Sequence, residues 1–72
     1  MNKQQLLEYL QLIQKYLEHS EVILLKINNA YKNKNEKVAD WAGNLSFLMA
    51  QDKNIIQYFM DYVSKEVAES ES

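Results

Sequence analysis

The chain has 72 residues, no cysteine, eight lysines, no arginine and a formal net charge of −2. That length allows one domain with a modest core, and the missing cysteine excludes disulfides and thiolate metal sites. An acidic chain without arginine lacks the usual reader of guanine edges and planar anions, so nucleic acid is not an expected partner.

Apolar residues make up 47% of the chain, which excludes a disordered tail. Lysine and seven asparagines in place of arginine suggest an AT-rich genome, such as that of a low-GC bacterium or its phage. The longest apolar run is Val22-Ile23-Leu24-Leu25, far too short to span a bilayer. No secretory apolar core follows Met1–Gln5, so the expected location is cytoplasmic.

There is no proline and a single glycine, Gly43, so long helices are permitted. In the first half Leu6, Leu10, Ile13, Leu17, Ser20, Leu24, Ile27 and Tyr31 alternate steps of four and three, a heptad seam on one helical face. Tyr9, Tyr16, Ile23 and Ala30 form a row beside it and widen the face to that of a bundle helix. The segment Lys32–Lys37 holds no apolar residue, and Asn35 can cap a following helix. The predicted elements are a helix over 2–31, a turn near 32–36 and a helix over 36–68, with a frayed tail at 69–72.

In the second half Val38, Trp41, Leu45, Leu48, Asp52, Ile55, Phe59 and Tyr62 alternate three and four, with Asp52 the one polar member. Ala42, Met49, Ile56 and Val63 widen this face. A break at Gly43-Asn44 or Gln51-Asp52 would instead give three helices, with Asp52 capping the third. Ser20 and Asp52 otherwise sit in the seam, where a polar residue can fix register and oligomeric state. Counted outward from the turn, Asp52 falls level with Tyr16 and Leu17.

The two seams predict an all-α antiparallel helical hairpin, and apolar residues are left over. Leu7, Leu12, Val22 and Leu25 on the first helix, and Phe47, Met60 and Val67 on the second, lie outside them. Large side chains contribute about 1.5–3 kcal/mol each on burial, so this surplus predicts a homodimer that closes a four-helix bundle. Lys32, Lys34 and Lys37 at the turn, against Glu66, Glu69 and Glu71 at the far end, favour antiparallel copies. The seam residues are the expected core of hairpin and dimer; Leu12, Val22, Leu25, Phe47, Met60 and Tyr58 are the candidate surface for another protein. Tyr58 belongs with Tyr9, Tyr16, Phe59 and Tyr62 to an aromatic group near the open end, a residue class enriched at interfaces.

No catalytic, cofactor or metal site is predicted. The single His19 has no orienting acid or nucleophile in a recognisable pattern, and no Glu-x-x-His pair of a di-iron bundle occurs. Trp41-Ala42-Gly43 resembles the Trp-x-Gly signature of small helical-hairpin proteins exported by bacterial type VII secretion, and Tyr62-Val63-Ser64-Lys65-Glu66 resembles that family's Tyr-x-x-x-Asp/Glu export signal. In that family the signature sits in the turn between two helices. Here it follows the polar turn, the two motifs lie closer together and the chain is shorter, so no function is carried over.

The expected function is a non-enzymatic protein–protein interaction module, a small bacterial or phage homodimeric regulator or adaptor that packs helices on a partner protein. The alternatives are a nucleic-acid-binding regulator and an exported hairpin of the Trp-x-Gly type.

Overall fold

In the computed structural model, which describes residues 1–67, the chain forms two helices, α1 (Lys3–Tyr31) and α2 (Glu36–Glu66), folded back on each other. Among the described residues there is no strand. The predicted tail at 69–72 lies outside them.

Local chemistry explains where each helix begins. Asn2 caps α1: its Oδ1 accepts from the Gln5 backbone N at 2.7 Å while Gln5 Oε1 accepts from the Asn2 N at 3.1 Å, a reciprocal capping box. The start expected at residue 2 is therefore a cap, with helical geometry from Lys3. Asn35 caps α2 as expected, its Oδ1 accepting from the Val38 N at 3.2 Å, with Glu36 in the first turn at the positive end of the dipole. Between the helices the chain closes tightly, the Lys34 and Asn35 N–H groups both donating to the Tyr31 carbonyl. At its other end α2 stops at Glu66, where Val67 turns to extended backbone.

α2 runs unbroken through Gly43-Asn44 and Gln51-Asp52, so the three-helix alternative does not hold and Asp52 is no cap. Gly43 has helical backbone with no positive φ, and the Trp41–Gly43 motif lies inside α2 rather than in the turn.

The hairpin is a rod, with Cα extents of 55 × 15 × 11 Å. Its radius of gyration is 16.2 Å, against about 11 Å for a compact chain of this length. The core is small and sits toward the open end: Leu10, Met60 and Val63 are buried together, with Leu6, Leu7, Ile56 and Val67 packed against them.

The line along which α2 meets α1 is not the row of large residues expected from the sequence. It runs through Ala39, Ala42, Ser46, Met49, Lys53, Ile56, Met60, Val63 and Val67, all buried or half-buried, at the same three–four spacing. Near the turn its members are small, and the Asn28 side chain of α1 reaches the α2 backbone there. Ser46 is buried at no polar cost because its hydroxyl donates to the Gly43 carbonyl of its own helix at 2.9 Å. Met60, placed on the outer surface by the sequence pattern, is 8% exposed and belongs to the core. Leu7 and Val67, also left over from the expected seams, pack against that core.

Candidate functional site: an open apolar flank

The rotation of α2 by about a quarter turn from the expected register leaves its large apolar row uncovered. Trp41 is 65% exposed, Ile55 and Tyr62 59%, Leu48 48%, Phe59 45% and Leu45 41%. Only Val38 of the expected apolar row is half-buried. On α1, Leu6, Leu17, Leu24 and Ile27 are half-buried and Leu10 is buried, whereas Ile13 and Tyr31 are exposed. Tyr9, Tyr16 and Ile23, the row beside that seam, are exposed as well.

These residues lie on one flank of the hairpin. Ser20, Ile23 and Leu24 from α1 and Leu45 and Met49 from α2 line one shallow groove of about 350 Å³, which fixes the side shared by both helices. Helical periodicity of 3.6 residues carries that side along α1 through Tyr9, Ile13, Tyr16 and Ile27 and along α2 through Trp41, Leu48, Ile55 and Phe59. Ser20 is half-buried and Asp52 exposed on this flank.

The opposite flank is knitted by polar bonds. Gln14 Nε2 donates to the Lys53 carbonyl at 3.3 Å and to Gln57 Oε1 at 3.2 Å. Lys53 Nζ donates to Glu21 Oε1 at 3.0 Å, a half-buried ion pair between the helices. Asn28 Nδ2 donates to the Ala39 carbonyl at 2.7 Å. Gly43 makes room for that bond, since a Cβ there would stand 3.2 Å from Asn28 Nδ2. At the open end Lys3 Nζ donates to the Ser64 carbonyl at 3.0 Å, satisfying an end group of α2. Gln14, Glu21 and Asn28 are seven residues apart, one ladder up the helix.

Of the candidate partner surface, Val22, Leu25, Phe47 and Tyr58 are exposed away from the groove, Leu12 is exposed on the outer side of α1, and Met60 is interior. His19 is exposed on α1. Among the described residues no three histidine, cysteine or acidic side chains converge to hold a metal ion, and no helix is long and apolar enough to cross a membrane.

Ala42, Met49, Ile56 and Val63, expected to widen the α2 face, lie on its packing line, whereas Ala39, Ser46, Lys53 and Met60 escape the sequence reading because apolar periodicity selects the greasiest row. The signal that points to the packing line is the three–four spacing of Ala39, Ala42 and Ser46, small enough to lie under another helix, together with Gly43. No family model matches the chain, and neither a curated protein nor a solved structure matches it.

Proposed function

We propose that this chain is a non-enzymatic interaction module, a helical hairpin that pairs with a second copy of itself and engages a further protein by helix packing. The observation that carries this reading is the open apolar flank: eleven of the seventeen large apolar side chains that are more than a third exposed lie on it, whereas five hydrophobic residues are buried among the described residues. A core of that size leaves a lone hairpin marginal, and burial of the flank is the available source of further stability.

The surface area points the same way. The chain exposes 5606 Å², whereas a compact monomer of 8.5 kDa exposes about 4,700 Å². The excess of about 900 Å² follows from the rod shape and leaves surface available to a standard interface, which takes about 800 Å² from each partner. Two such flanks placed face to face make a four-helix bundle, the arrangement in which helices of this width bury their apolar sides. A dimer of this kind leaves Val22, Leu25, Phe47 and Tyr58 at the surface, and these are the residues offered to another protein as a regulator or adaptor would offer them.

Sedimentation equilibrium of the purified chain tests the pairing. The expected result is a reversible dimer of twice 8.5 kDa, with helicity that falls on dilution because folding and association are linked. A fully helical single-chain species at every concentration would remove the reading.

A further inference from the structure

We infer that the two copies lie antiparallel and in full overlap, held in that register by a polar layer of Tyr16, Ser20 and Asp52 at mid-length. This inference rests on the pairing proposed above and adds its geometry.

The level of the layer follows from the bonds between the helices. Lys53 meets both Gln14 and Glu21, so its neighbour Asp52 is level with the stretch Tyr16–Ser20 of α1. The midpoints of α1 and α2 fall at Leu17 and Gln51, so this is also the middle of the rod. Asp52 interrupts a row whose other members on this flank are large and apolar, with Leu48 and Ile55 next to it. Two hydroxyl groups, of Tyr16 and Ser20, share its level, and both can donate to a carboxylate.

Full overlap in the antiparallel sense puts the middle of one copy over the middle of the other. Each Asp52 then faces the partner's hydroxyl-bearing layer. A slip of one heptad would set each carboxylate against apolar levels of the partner such as Ile23 with Leu45, leaving only the hydroxyls of its own chain as donors, which is disfavoured. One polar position in an apolar seam fixes register in this way at a cost in stability.

Overlap in the parallel sense would also match the polar layers, so charge decides the direction. The turn carries Lys32, Lys34 and Lys37 against Glu36, all exposed, a net of +2. The open end carries exposed Glu8, Asp61 and Glu66 against Lys3, Lys65 and the Met1 ammonium, a net of zero, and the sequence beyond adds the two acidic residues Glu69 and Glu71. Parallel copies would bring turn against turn. Antiparallel copies bring each turn to the partner's acidic end, a bias in orientation more than in affinity.

The chain has no cysteine, so introduced ones report cleanly. Lys34→Cys and Glu66→Cys change exposed residues at opposite ends of the rod. With a short bismaleimide, a mixture of the two variants is expected to crosslink in preference to either variant alone. Self-crosslinking of Lys34→Cys as efficient as the mixed product would establish parallel copies and overturn the inference. A dimer by sedimentation with no mixed product would overturn the full overlap while leaving the pairing intact; a monomer would overturn both. Asp52→Leu is expected to tighten the dimer and to lower the mixed-crosslink yield at least twofold as slipped registers become accessible. An undiminished yield would refute the register role of the polar layer.

Discussion

The two flanks of this hairpin solve different problems with the same two helices. One flank is closed within the chain by Gln14, Glu21 and Asn28, which reach Lys53, Gln57 and the Ala39 carbonyl across the helix pair. The other presents Trp41, Leu48, Ile55 and Phe59 to solvent. Polar bonds need defined geometry and so fix how α1 and α2 sit; apolar area has no direction and supplies driving force to whatever covers it. The contrast separates intrachain register, set on the bonded flank, from association, assigned by our proposal to the open one.

The comparison breaks most readily at the open flank. Leu48→Glu removes two leucines that are 48% exposed in the hairpin, about 1 kcal/mol each on further burial, and sets two carboxylates in the proposed interface, so the dissociation constant should rise more than about 10-fold. Sedimentation should show monomers at concentrations where the parent chain is dimeric; an unchanged dissociation constant would place the interface elsewhere. Next in size is Met60→Ala, in the core between the flanks. Loss of a buried methionine costs about 2–5 kcal/mol, and urea unfolding should show a lower midpoint at any protein concentration.

The bonded flank should respond less, and without a concentration dependence of its own. Asn28→Ala removes a 2.7 Å hydrogen bond to a helix carbonyl, a loss of about 1 kcal/mol. Gly43→Ala brings a gain of about 1 kcal/mol in helix propensity, opposed by crowding of the Asn28 amide. The two changes should therefore couple: Gly43→Ala stabilises more in the Asn28→Ala background than in the parent, and additive effects would show that the glycine is not there for the asparagine. The smallest effect is expected from Glu21→Gln. Its ion pair with Lys53 is half-buried, so the change should cost up to about 1 kcal/mol and shrink in high salt.

Much of the fold is legible in the sequence. The uninterrupted three–four spacing, the absence of proline and the apolar-free stretch at Lys32–Lys37 specify two long helices, and Asn35 marks the start of the second. Helix rotation is harder to read. Periodicity reports that a face is apolar without saying which neighbour it meets, and on α2 two adjacent rows share the same period. The row of Trp41 and Leu48 is the more hydrophobic, yet the row of Ala39, Ala42 and Ser46 packs inside the chain because small residues permit close approach and Asn28 anchors it. Lys53 conceals this second row further, since its partner Glu21 is thirty-two positions away. The open flank is thus made of the residues that stand out most in the sequence, while the contact that exposes them combines the flanking row of Ala42, Met49, Ile56 and Val63 with small and polar residues that do not stand out.

The 55 Å length of the rod has a hydrodynamic consequence. High friction makes a single hairpin migrate on a sizing column like a larger sphere, so elution position alone overstates its mass. Side-by-side copies in full overlap thicken the particle without lengthening it, leaving its longest interatomic distance in small-angle scattering close to that of one hairpin. Staggered copies would lengthen it by the amount of the stagger.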